Sequence, residues 1–180
     1  MPLGRWRKLS ESVVFRNPWW TYRLDRFETP AGVRGEYHYV HTRGSSMVVP
    51  VTRDGSLLLV DQFRFLMDRT SLEFPAGGVK EGSSHEETAR AELAEETGQG
   101  ADEWEPVGQF NPCNGVVDEM CNVYIARGLR AIEGAAPDET EELEVRSVTV
   151  AELEAAIGRG EIWDGMTLAA WQMARHRLAR

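Results

Sequence analysis

Three glutamates stand close together in the segment Ala89-Arg90-Ala91-Glu92-Leu93-Ala94-Glu95-Glu96-Thr97-Gly98. On a helix, residues three and four apart share a face, so Glu92, Glu95 and Glu96 project as one anionic patch. Like charges this close repel one another, and a divalent cation relieves the repulsion. Ligands that offer only oxygen suit a hard ion such as Mg²⁺ or Mn²⁺. The spacing therefore points to a metal-assisted reaction.

The surrounding residues say how such a patch would be held. Pro75-Ala76-Gly77-Gly78 precedes it, and glycine permits both positive φ and close approach of backbone to a ligand. Ser84 with Glu87 forms a capping box that sets the start of the helix, and Gly98 is its C-terminal stop. The pattern is a glycine turn running into a capped acidic helix.

Upstream, residues 12–42 alternate apolar or aromatic side chains with polar ones about a turn at Thr29-Pro30-Ala31-Gly32, as in an antiparallel sheet of their own. Ser46–Val51 and Ser56–Val60 flank Arg53-Asp54-Gly55, which reads as a hairpin. Downstream, strands are expected near Pro106–Phe110, Cys121–Ala126 and Leu143–Val148. Thr149 and Glu152 form a second capping box, opening a helix through Ile157, and a last helix runs from about Met166 to Leu178. Mixed strands with intercalated helices predict an α/β (α+β) sandwich.

Composition narrows the function classes. The chain has 180 residues, 42% hydrophobic and 27% charged, ordinary values for one globular domain with a sizeable core. Its formal net charge of −9 argues against a nucleic-acid partner. It leaves phosphorylated small molecules open, because metal ions can sit between an acidic site and a diphosphate. No apolar run approaches a membrane span and the N-terminus has no signal-peptide core. Cys113 and Cys121 form no CxxC pair and read as small buried hydrophobes in a reducing compartment, so a cytoplasmic location is expected. Trp19, Trp20, Tyr22, Phe27 and Tyr37 form an aromatic cluster suited to a core, an interface or stacking on a nucleobase.

The acidic segment resembles the Nudix box, a glycine-to-glycine motif ending in Arg-Glu-aliphatic-x-Glu-Glu-x-Gly-aliphatic. Gly77, Glu92, Leu93, Glu95, Glu96 and Gly98 fall on the pattern. Ser83 stands in place of the first glutamate, Ala91 in place of the arginine and Gln99 in place of the final aliphatic residue. Leu72-Glu73-Phe74-Pro75-Ala76-Gly77, Asp61-Gln62-Phe63-Arg64, Asn114–Glu119, Asp138-Glu139-Thr140-Glu141 and Gly160–Ala170 are similar to segments of one Nudix branch. That branch is the ADP-ribose and nucleoside-diphosphate-sugar pyrophosphatases.

The resemblance implies a Nudix α/β/α sandwich with a mixed central sheet over residues 45–180. A small antiparallel β-sheet over residues 1–44 would serve dimerisation and form part of the substrate pocket. By the same resemblance Glu92, Glu96, Glu141 and the backbone carbonyl of Ala76 would hold Mg²⁺ or Mn²⁺. Glu95 would share a metal or support its ligands. Glu139 would be the base that orients or deprotonates the attacking water, Arg64 would bind the diphosphate, Glu119 would accept hydrogen bonds from the terminal sugar, and Glu73 would join the substrate-binding set. The expected activity is hydrolysis of a nucleoside diphosphate-sugar, ADP-ribose to AMP and ribose 5-phosphate, by a homodimer with no nucleic-acid or membrane partner. Two alternatives stand beside it: GDP-mannose or another nucleotide sugar as substrate, and a weakly active domain that senses a nucleotide.

Overall fold

Turn residues punctuate the first forty positions, and strands form between them. These are β1 (Arg7–Arg16), β2 (Thr21–Glu28) and β3 (Arg34–His41), antiparallel in that order. Asn17 makes the first turn by accepting the Trp19 and Trp20 amides on Oδ1 at 2.9 and 2.8 Å. Gly32, at φ +80°, closes the second, its N–H donating to the Thr29 carbonyl at 2.9 Å. The computed structural model describes residues 4–134 and 142–178. The chain divides into two compact units: residues 1–43 with 111–119, and residues 44–110 with 120–180.

In the second unit the strands β4 (Ser45–Pro50), β5 (Leu57–Arg64), β6 (Arg69–Glu73) and β7 (Ala76–Gly78) precede helix α1 (His85–Thr97). After it come β8 (Gln99–Phe110), β9 (Cys121–Ala131), β10 (Leu143–Val148), α2 (Val150–Gly158) and α3 (Gly165–Leu178). One sheet has the order β7-β4-β9-β8 and the other β10-β5-β6. β4 and β9 run parallel and every other pair is antiparallel, so the four-stranded sheet is mixed.

All six residues of β4 are buried, because the strand has a core on each face. Met47 and Val49 face one core together with Leu57, Leu59, Val123, Ile125, Leu153 and Trp171, drawn from β5, β9, α2 and α3. Val48 faces the other way, onto Ala89 and Leu93 of α1, with Ala101 and Ala126 beside them. Helices thus cover both faces of a mixed sheet, and the fold is the α/β sandwich the sequence implied.

Three local expectations are corrected. The turn at Arg53-Asp54-Gly55 forms, with Gly55 at φ +85°, but β4 and β5 share only the isolated bridge Val51↔Leu57 before parting into different sheets. β4 and the first half of β5 are too apolar to remain in a two-stranded hairpin, and each finds partners that bury it. The strand expected near Pro106–Phe110 begins at Gln99, at once after the helix, with a register shift between Pro106 and Gly108. Cys121 is buried as expected, whereas Cys113 is exposed on the segment between β8 and β9.

Leu93 fixes α1 to the sheet and is fully buried. Leu93→Ala should cost about 2–5 kcal/mol of unfolding free energy, a large share of the stability of a domain this size. Chemical denaturation with an unchanged m-value would show it; a cost below about 1 kcal/mol would mean the helix is held elsewhere.

Candidate active site

The capping residues set the register of α1. Ser84 Oγ accepts the Glu87 amide at 3.2 Å, and Glu87 Oε2 accepts the Ser84 amide at 2.8 Å. At the other end Gly98 adopts φ +66° and its N–H donates to the Ala94 carbonyl. Ala89 and Leu93 are committed to the core, and Glu96, seven residues after Ala89, borders their stripe, with Glu92 and Glu95 following it round the helix as one acidic face.

That face is not a uniformly solvated patch. Glu96 is only 7% exposed, and its Oε2 accepts the Ala76 amide at 3.3 Å. The Glu92 carboxylate occupies the space above Gly77: a Cβ there would lie 2.1 Å from its Oε1. Glycine is required at 77 for this approach rather than for a positive φ. Glu95 lies 3.9 Å from the Lys80 ammonium, a half-exposed pair of small energetic weight. Where the box arginine would stand, Ala91 is half-buried, and Ser83 is exposed.

The backbone that receives these carboxylates is tied down from several directions. Thr167, fully buried near the start of α3, accepts the Phe74 amide on Oγ1 at 3.3 Å. The Pro75 carbonyl accepts the Val48 amide at 2.9 Å, and Ala76 pairs with Met47 in the sheet. Asp164 caps α3 by accepting the Thr167 amide at 2.7 Å. The Ala76–Gly77 stretch of β7 is therefore a platform held by strand β4 and by helices α1 and α3.

Arg64 enters the same region from the end of β5. Its Nε donates to Glu73 Oε1 at 2.7 Å and its Nη2 to Glu73 Oε2, a bidentate fork on a carboxylate that is 3% exposed. The hydrogen bond that Arg64 donates to Glu73 raises the arginine's pKa despite partial burial, and the charges of Glu73, Asp164 and Glu96 add to the rise. Arg64 is thus a permanent cation in an acidic surrounding, held by one buried carboxylate and sensing another.

Two carboxylates, one of them buried, against the backbone at Ala76–Gly77 form a set of hard oxygen donors, which fits a divalent cation of the Mg²⁺ or Mn²⁺ kind. Among the described residues no three of His, Cys, Asp and Glu gather into a complete metal cage. Glu139 and Glu141 lie outside the described residues. Glu119 belongs to the first unit, where its Oε2 accepts the Thr42 hydroxyl at 3.4 Å.

The first unit holds a cleft that the sequence reading did not assemble. It encloses about 380 Å³ and is lined by Arg16, Trp19, Trp20, Arg23, His41 and Arg43 among others. Of these only the tryptophans drew notice in the sequence. These side chains come together because β1 and β2 pair Arg16 with Thr21, and β2 and β3 pair Thr21 with His41. Trp19 is 79% and Trp20 38% exposed, so neither is a core residue.

Comparison with known proteins bears on the whole chain. Residues 41–169 match the NUDIX domain, and residues 6–40 match the nucleoside diphosphate sugar hydrolase N-terminal domain. ADP-ribose pyrophosphatase of Bacillus subtilis is 34% identical over 150 residues, 83% of this chain and 81% of that protein. The methanol dehydrogenase activator of Bacillus methanolicus is 31% identical over 151 residues, covering 83% and 82%. The crystal structure of an ADP compounds hydrolase superposes with a TM-score of 0.85 over 99% of this chain and 97% of that one; at 23% identity this likeness is one of fold. With most of its length matched to the NUDIX domain and its acidic helix built onto a glycine platform, the chain belongs to the NUDIX family and is a Nudix hydrolase.

Proposed function

We propose that this enzyme hydrolyses the diphosphate of nucleoside diphosphate-sugars, with ADP-ribose, split to AMP and ribose 5-phosphate, as its leading substrate. The observation that carries the reading is the pair Glu92 and Glu96 seated on the Ala76–Gly77 backbone with Arg64 nearby. Acidic groups prepared for a cation, next to a fixed guanidinium, suit an anionic diphosphate. The similarity to B. subtilis ADP-ribose pyrophosphatase supports the choice of substrate.

In this reading Glu92, Glu96, Glu141 and the Ala76 carbonyl hold the divalent cation, Mg²⁺ or Mn²⁺, with Glu95 supporting them. Bound there, the ion neutralises diphosphate charge and lowers the pKa of water. Arg64 takes a phosphate oxygen, and Glu73 fixes the guanidinium or joins it at the substrate. Glu139 orients the attacking water and accepts its proton as the phosphorus–oxygen bond to the leaving phosphate breaks. Glu119 receives the sugar hydroxyls. The cleft of Trp19, Trp20 and the arginines is chemically suited to a base and its phosphates.

The assembly and location follow the same reading. Residues 1–44 serve dimerisation and the substrate pocket, and residues 45–180 form the hydrolase domain. β1 is exposed along its whole length, with Val13, Val14 and Phe15 each more than half exposed, an apolar strip that a second copy would cover. Among the described residues no helix is long and apolar enough to cross a membrane. Cys113 and Cys121 are in no disulfide with one another, which suits the reducing cytoplasm.

A hydrolysis panel of ADP-ribose, GDP-mannose and NADH with Mg²⁺ or Mn²⁺ tests the reading. ADP-ribose should be the best substrate, a preference for GDP-mannose would change the base assignment, and no release of nucleoside monophosphate from any of them would sink it. Glu96→Gln should lower kcat/KM about a hundredfold or more, and Glu139→Gln should lower kcat by about 10²-fold or more. Full activity in Glu139→Gln would move the base elsewhere. Gly77→Ala should push the Glu92 carboxylate aside, lowering metal-dependent turnover about tenfold or more while stability changes by less than about 1 kcal/mol. Unimpaired turnover in that variant would show that the seat above Gly77 is not needed.

A further inference from the structure

Residues 111–119 lie between β8 and β9 in sequence, inside the stretch matched to the NUDIX domain, yet they belong to the N-terminal unit. The segment adds itself to β3 as a short parallel extension. Val40 N donates to the Val116 carbonyl at 2.9 Å, Asp118 N donates to the Val40 carbonyl at 3.2 Å, and Val40 bridges Val117. Asn111 closes the segment on itself, its Nδ2 donating to the carbonyls of Val117 at 3.1 Å and Glu119 at 2.7 Å.

The last two residues carry the chemistry. Asp118 grips the end of β3 at two points: Oδ2 is 2.7 Å from His41 Nδ1, and Oδ1 accepts the Thr42 amide at 3.3 Å. One residue on, the Thr42 hydroxyl donates to Glu119 Oε2 at 3.4 Å. The same short stretch of β3 and its exit therefore holds the anchor and touches the carboxylate.

We propose that Asp118 and Thr42 are positioning residues for Glu119, fixing its carboxylate from the N-terminal sheet before the substrate arrives. The inference rests on the reading that Glu119 receives the sugar hydroxyls. His41 and Asp118 are each more than a third exposed, so their charge attraction is largely screened by water. What Asp118 supplies is geometry: two bonds from one short side chain, to His41 at the end of β3 and to Thr42 just after it. Thr42 then removes rotamer freedom from Glu119, so less ordering remains to be done on binding. Neither residue is given a part in the chemistry at phosphorus, so their loss should appear in KM.

The test uses the full chain with Mg²⁺ and ADP-ribose. Asp118→Ala should raise KM about tenfold while kcat changes less than about twofold. Asp118→Asn, which keeps the oxygen that accepts the Thr42 amide and sets an N–H donor opposite His41 Nδ1, should recover most of that loss. Glu119→Ala should raise KM as well, and adding Asp118→Ala to it should cause little further change, because the anchor then has nothing to position. Thermal melting of each variant separates folding from positioning. If Glu119→Ala leaves KM unchanged, the role given to Glu119 fails and the inference falls with it. If Glu119→Ala raises KM but Asp118→Ala does not, or if the two losses multiply, the positioning role alone is overturned.

Discussion

Two carboxylates brought against one stretch of backbone are the constraint on which the rest of the structure turns. Glu96 is buried where an anion is costly, and Glu92 fills the one space that a glycine leaves open. The arrangement persists because the elements around it allow no alternative. Leu93 and Ala89, on the stripe that Glu96 borders, bind α1 to the sheet, Thr167 and Val48 hold Phe74 and Pro75, and the capping box fixes where the helix begins. Packing in the core thus holds two carboxylates against the backbone despite the cost of burying charge.

Arg64 shows the complementary device. A lone arginine near a cationic centre would swing towards whichever carboxylate was nearest. Here Glu73, itself almost wholly buried, takes the guanidinium in a two-pronged grip and fixes its direction. The guanidinium is thereby fixed within the electrostatic reach of Glu96, and on the proposed reading it meets a phosphate while Glu92 and Glu96 hold the metal.

Much of this was legible in the residues. Ser84, Glu87 and Gly98 define α1 by local chemistry that tertiary packing does not alter, and the alternation in β2 and β3 reads directly as a sheet. The hairpin reading of β4 and β5 failed for a physical reason: turn chemistry is local, whereas the choice of ladder partner depends on where a strand can bury both faces. Cys113 was misjudged because a small apolar side chain carries no mark of burial by itself. The meeting of Arg16, Arg23 and His41, and the capture of residues 111–119 by β3, depend on strand register and have no signature in any one segment. The acidic pair at Glu92 and Glu96 was visible as a spacing, but its seat on Gly77 needed the fold.

The central claim is that this platform serves hydrolysis of a diphosphate linkage. Incubating the protein with ADP-ribose and Mg²⁺ in heavy-oxygen water, and weighing the products by mass spectrometry, tests it directly. The account predicts AMP and ribose 5-phosphate, with one heavy oxygen on one of the two phosphates. Intact ADP-ribose bound tightly without turnover, or products carrying no heavy oxygen, would contradict it.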